Sequence, residues 1–173
     1  MKKDYMLSRS RQERVRKMKW LVVFYSRTGT TKKVAETLSR LLKCDVEEIF
    51  DTRNRRGFSG YLRSGMDAAF KRVTVIKKTE KDVAAYDGLV VGTPIWASKM
   101  SPAVRTYVLQ NKGHLRKVAF FCTCGGLGRE KALRAIADIS GQSPLALLEV
   151  SHEEVLNADY VSKVEKFVDE LGK

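Results

Sequence analysis

The sequence is poor in the residues that do covalent and metal chemistry: its 173 residues include three cysteines, two histidines and three prolines. Cys44, Cys122 and Cys124 are too few for a disulfide framework and fit a reducing compartment. His114 and His152 stand apart, with neither metal-ligand spacing nor an acid in a recognisable order beside them. Both read as surface or packing residues, so no metal site and no catalytic acid or base is expected. Long apolar runs are also missing. The longest, Trp20 to Tyr25, has six residues, against the ~20 that span a bilayer. The basic start never meets the apolar segment of ~7–15 residues that a signal peptide needs. Neither Gly-x-Gly-x-x-Gly nor Gly-x-x-x-x-Gly-Lys-Ser/Thr occurs, which excludes a dedicated dinucleotide domain and a Walker loop. A hydrophobic content of 43% is too high for a disordered chain. The expectation is one soluble, cytoplasmic domain.

Positive charge is abundant and unevenly placed. The chain carries a formal net charge of +13. Residues 1–19 hold Lys2, Lys3, Arg9, Arg11, Arg14, Arg16, Lys17 and Lys19 against Asp4 and Glu13, a net +6 that leaves +7 for 20–173. Leu7, Val15 and Met18 are too sparse there to bury a helix face. The segment 1–19 therefore reads as a basic N-terminal extension, and 20–173 as the domain. A solvated extension is a simpler reading than a basic arm for nucleic acid, an anionic membrane surface or an acidic partner. Met18-Lys19-Trp20 runs straight into the first strand pattern, so synthesis starting at Met18 is a further reading.

From Trp20 onward, short apolar runs alternate with helical periodicity. Trp20 to Tyr25 is continuously apolar and reads as a fully buried strand. Val34, Leu38, Leu41 and Leu42 mark one face of a helix over about 31–43. Strands are expected at Asp45 to Phe50, Gly88 to Gly92, Lys117 to Cys122 and Leu145 to Val150. Helices are expected from Ser101-Pro102, over Arg129 to Ile139, and from near Asn157 to Leu171. Strand alternating with helix five times is the mark of βαβ units and a parallel sheet covered on both faces. Residues 51–87 interrupt the rhythm with a long connection in which 57–65 reads as a loop leading into a short helix, Met66 to Arg72.

Three loops leave the carboxyl ends of strands, where ligands of open α/β sheets bind. Ser26-Arg27-Thr28-Gly29-Thr30-Thr31 packs four hydroxyls and a glycine against a helix N-terminus, a combination suited to a phosphate. Thr93-Pro94-Ile95-Trp96-Ala97-Ser98-Lys99-Met100 offers a tryptophan as a stacking surface. Thr123-Cys124-Gly125-Gly126-Leu127-Gly128 allows close backbone approach to a bound group.

In order and composition these loops resemble those of the flavodoxin family, over about residues 20–171. The resemblance implies an α/β, flavodoxin-like three-layer sandwich: a five-stranded parallel sheet of order 2-1-3-4-5 with helices on both faces. It implies FMN as cofactor. Ser26, Arg27, Thr28, Gly29, Thr30 and Thr31 would then hold its phosphate. Thr93, Pro94, Ile95, Trp96 and Ala97 would border the isoalloxazine, with Trp96 as the stacking face. Thr123, Cys124, Gly125 and Gly126 would contact the other side or the pyrimidine edge through backbone groups. Flavodoxins that shuttle electrons are usually strongly acidic and often cover the outer flavin face with a tyrosine. Here the domain is basic, and no aromatic residue lies between Thr123 and Gly141. That leaves the ring open to a quinone or a partner, and a reduced flavin near positive charge is expected to be less destabilised than in an acidic carrier.

Other constellations fail on spacing. Cys124 to Arg129 leaves four residues between them and Cys122 to Arg129 leaves six, where a phosphatase loop needs five. Cys122 and Cys124 could form a redox pair beside a flavin, yet strand alternation points them to the same face, as plain packing of small thiols also would, and packing is the favoured reading. Arg53, Arg55, Arg56, Arg63, Lys71 and Arg72 read as a solvated segment, or as a receiver for an anionic substrate or partner.

The sequence thus favours an FMN-binding flavodoxin-like redox protein that transfers electrons through its flavin, with no catalytic side chain required. Its partner would be a redox protein or a small acceptor such as a quinone, acidic or anionic in character. The alternative is an FMN-dependent NAD(P)H:quinone-type oxidoreductase. A non-redox nucleic-acid-binding module is the less favoured reading.

Overall fold

The computed structural model describes residues 14–15, 17–53, 60, 65–126 and 128–172. Most of the basic extension, Arg55, Arg56 and Arg63 with most of the 57–65 stretch, and Leu127 lie outside the described residues. Among the described residues there are six strands: β1 (Trp20–Phe24), β2 (Asp45–Glu48), β3 (Gly88–Trp96), β4 (Lys99–Met100), β5 (Lys117–Cys124) and β6 (Leu147–Ser151). The α-helices include α1 (Thr30–Leu42), α2 (Pro102–Asn111), α3 (Arg129–Ser140), α4 (His152–Asn157) and α5 (Val161–Glu170).

The sheet runs β2-β1-β3-β5-β6, and every pairing along that path is parallel. Counting the parallel strands alone, this is the expected order 2-1-3-4-5. The two-residue β4 lies off the path, antiparallel to β3. Alternation along the central strands divides the core in two. Leu21, Val23, Leu89, Val91, Phe120 and Cys122 face one side, against Val104, Tyr107 and Val108 of α2 and Leu133 and Ile136 of α3. Trp20, Val22, Phe24, Val90, Ala119 and Phe121 face the other, against Val34 and Leu38 of α1 and Val164 and Phe167 of α5. Burial on both faces explains why β1 reads as an unbroken apolar run.

Several boundaries differ from the expectation. Strand β3 runs four residues past Gly92, through Pro94 to Trp96. A proline is tolerated because β1 stops pairing at Gly92, which leaves an open edge beside Pro94. Strand β5 likewise continues through Thr123 and Cys124, so part of two expected loops is strand. Strand β2 ends earlier, at Glu48, and β6 starts later, at Leu147. The last helix begins earlier and in two pieces, with Ala158 at φ 61 as the cap of the first. Ser151 caps α4 in a reciprocal box with Glu154, a signal the sequence carries and the periodicity obscured. Upstream of β1, Val15 is buried at 2% exposure and its carbonyl accepts from Trp20 Nε1 at 3.1 Å. The packed structure therefore reaches back at least to Val15.

Among the described residues, no helix is long and apolar enough to cross a membrane, and no group of three or more potential metal ligands is found.

Candidate functional site

The carboxyl ends of β1, β3, β5 and β6 open onto a cavity of about 680 Å³, within the size range of small-molecule sites. Its first end is built on the turn from β1 into α1. Gly29 takes φ +91 there, with open space where a side chain would stand, so the glycine is required by the backbone rather than by crowding. Ser26 Oγ accepts from the N–H groups of Gly29 (3.1 Å) and Lys32 (3.3 Å), closing the turn. Helical bonding starts with Lys33 N–H to the Gly29 carbonyl, so the amides of Thr30 and Thr31 precede the ladder. The first turn of α1 contains no acid. Thr28 and Thr30 line the cavity with their hydroxyls 3.5 Å apart. Thr31 is buried, and its Oγ lies 2.8 Å from that of Thr123, a bond that pins α1 to the end of β5.

The second end is built on the β3–β4 hairpin. Pro94, Ile95, Trp96 and Ala97 line the cavity. The turn residues Ala97 and Ser98 both adopt left-handed conformations, φ 47 and φ 57, the geometry a two-residue hairpin needs and non-glycine residues resist. Gly128, at φ +95, packs so closely on this turn that a Cβ there would overlap Ser98. The start of α3 therefore braces the hairpin. Trp96 is 9% exposed, its ring lies perpendicular to that of Tyr25 with centroids 5.6 Å apart, and the Arg27 guanidinium is 5.9 Å from its ring centroid.

Of the residues singled out from the sequence, Arg27, Thr28, Thr30, Thr31, Pro94, Ile95, Trp96, Ala97, Thr123, Cys124 and Gly125 line this cavity. Ser26, Gly29, Thr93 and Gly126 do not. Ser26 and Gly29 shape the turn from behind. Thr93 is fully buried, and its hydroxyl is occupied by the Ser101 amide at 3.0 Å and the Pro94 carbonyl. The Gly126 carbonyl accepts from the Cys124 thiol and the Arg129 guanidinium.

Five lining residues were not expected: Gly65, Met66, Ala69, Phe70 and His152. Met66 and Phe70 stand at i and i+4 on one helical face and remain 49% and 68% exposed. Both apolar side chains are left open at the mouth of the cavity. His152 follows the last residue of β6, and its Nδ1 lies 3.2 Å from Thr30 Oγ1.

The cysteines divide by environment. Burial pushes the Cys122 thiol well above its ordinary pKa, with Cys124 beside it adding to the shift, so Cys122 is a packed and unreactive thiol. Arg129 Nε donates to Cys124 Sγ at 2.9 Å, and Cys124 raises the pKa of that guanidinium. The pair closes the β5–α3 turn at the cavity edge.

A family model described as flavodoxin matches residues 19–169. Among solved structures, the fold is similar to that of a flavoprotein in complex with FMN from Lactobacillus acidophilus NCFM, with 22% identity and a TM-score of 0.70. That match covers 87% of this chain and 98% of the other. The apo-form of the flavoprotein from the same organism is similar at 23% identity, covering 78% and 93%, with a TM-score of 0.59. Oxidised flavodoxin 1 from Bacillus cereus is similar at 18% identity, covering 88% and 96%, with a TM-score of 0.51. No curated protein matches the chain.

Proposed function

The chain belongs to the flavodoxin family, and from that premise we propose that it binds FMN and transfers electrons between a reductase and an acceptor. The observation that carries this reading is the polarity of the cavity along its length. One end offers the Thr28 and Thr30 hydroxyls, the first amides of α1 and no acid in the first turn, a donor set that fits a phosphate dianion. The other end offers the flat wall of Pro94 to Ala97, including Trp96, which fits an aromatic ring. Flavin, when bound, supplies the one- and two-electron chemistry.

The chain's own groups would hold it. Thr28 and Thr30 would hold the phosphate, and the braced hairpin would border the ring. Trp96, which lines the cavity beside Arg27, would supply a stacking surface. Gly125, without a side chain, lets the backbone come close to the ring edge.

The exposed pair Met66 and Phe70 at the mouth favours a second reading, direct NAD(P)H oxidation with reduction of a quinone-type acceptor. The two separate in one assay. An apoprotein that takes up FMN, with two visible flavin bands, supports the cofactor. NAD(P)H oxidation by the purified flavoprotein alone then favours the second reading, and a requirement for a separate reductase favours the first.

A further inference from the structure

We infer that His152 is part of the phosphate site and, as imidazolium, makes flavin-phosphate binding stronger in mild acid; this rests on the FMN reading above. His152 enters the cavity from the end of β6, while Thr30 opens α1, and 122 positions of sequence separate them. The fold nonetheless sets His152 Nδ1 3.2 Å from Thr30 Oγ1, which is itself 3.5 Å from Thr28 Oγ1. The three side chains form a connected row along the phosphate end.

The protonation state of the imidazole decides what that row presents. A neutral ring with a bare Nδ1 accepts the Thr30 hydroxyl proton and withdraws it from a ligand. An imidazolium must donate through Nδ1–H, so Thr30 accepts on that side and turns its own proton outward. The charge adds to the direction: hydrogen bonds from a chain polarised by a cation to an anion are the stronger kind. Arg27 is the other cationic side chain among the described cavity residues, and its guanidinium sits by the Trp96 ring. Of the cavity-lining residues at the phosphate end, His152 is therefore the one that can bring a positive charge.

The elements packed around His152 carry other charges. Helix α1 brings Lys32, tied to Glu48 at 3.4 Å, and Lys33. Strand β6 brings Glu149, and α4 itself brings Glu153 and Glu154. Glu154 is occupied by the Ser151 amide and Lys163. Histidine is the side chain whose ordinary range falls between pH 5 and 8.

The test is FMN and riboflavin affinity for the wild type and His152→Gln at pH 6.0 and pH 8.5. A phosphate monoester itself takes up a proton near pH 6, so the reading is the ratio of variant to wild type at each pH. The expected result is a loss of about 3- to 10-fold in FMN affinity at pH 6.0 and about 2-fold or less at pH 8.5. Riboflavin affinity should be unchanged at both. An equal FMN loss at the two pH values, or an equal loss for riboflavin, would overturn the inference while leaving the cofactor in place. If wild-type apoprotein takes up no FMN at either pH, the cofactor reading falls and this one with it. A second measurement uses the wild type alone. The imidazole NMR titration of His152 should move up by about half a pKa unit or more on FMN binding and stay put with riboflavin; an unmoved titration with FMN overturns the role.

Discussion

At the phosphate end of the cavity, position is set by hydrogen bonds: Ser26 closes the turn, Thr31 locks to Thr123, and His152 meets Thr30. At the ring end, position is set by packing and backbone strain. Two non-glycine residues at positive φ form the hairpin turn, and α3 starts hard against it at Gly128. The difference follows from what each end has to hold. A phosphate is recognised by the direction and charge of donors, which a helix N-terminus and hydroxyls supply. A flat ring is recognised by shape, and shape needs a wall that does not move.

The largest test of this contrast uses two of the glycines at positive φ, Gly128 and Gly29. Gly128→Ala should cost about 2–4 kcal/mol, from the left-handed backbone and from overlap with Ser98. Gly29→Ala, with nothing near its Cβ, should cost only the backbone strain of about 1–2 kcal/mol. Urea unfolding of the two variants compares them directly, and equal costs would mean the hairpin is not braced.

Next come the two threonines one turn apart in role. Thr31→Val leaves Thr123 without its buried partner and should destabilise the fold by about 1–3 kcal/mol. Thr28→Val should leave unfolding almost unchanged and weaken FMN by about 1.5–3 kcal/mol, the value of a hydrogen bond to a charged group. Thermal melts and flavin fluorescence titrations read the two effects separately.

How much of this was legible beforehand depends on whether the signal was local. Strand β1 announces itself because both of its faces are buried, and the hydroxyl-rich turn after it stands out by composition alone. The wall from Thr93 to Trp96 reads as loop because Pro94 breaks a strand pattern; only the sheet shows that β1 has already stopped pairing there. His152 looks isolated because its partner is at the far end of the chain. Its place one residue beyond the end of β6, at the carboxyl edge, was the available clue. Met66 and Phe70 sit among arginines that suggested a solvated segment, although their i, i+4 spacing already marked an apolar face.

Smaller effects sharpen the same division. Phe70→Ser, at the exposed mouth, should change stability by no more than about 0.5 kcal/mol and cost FMN less than Thr28→Val does. Unfolding and titration on the same sample check both statements. The smallest effect concerns the cap that holds His152 in place. Lys163 and the Ser151 amide hold the Glu154 carboxyl below its ordinary pKa. A depressed carboxylate stabilises the fold above its unfolded value of about 4.3, and that contribution is lost as the pH falls through the lower folded value. Melting temperatures of wild type and Glu154→Gln should therefore differ at pH 6 and converge toward pH 3.

The most direct test of the whole account is a paired titration of the apoprotein with FMN and with riboflavin at one pH. Two or more charged hydrogen bonds at the phosphate end should make FMN bind at least about 100-fold more tightly. Equal affinity for the two flavins, or no uptake of FMN, would contradict it.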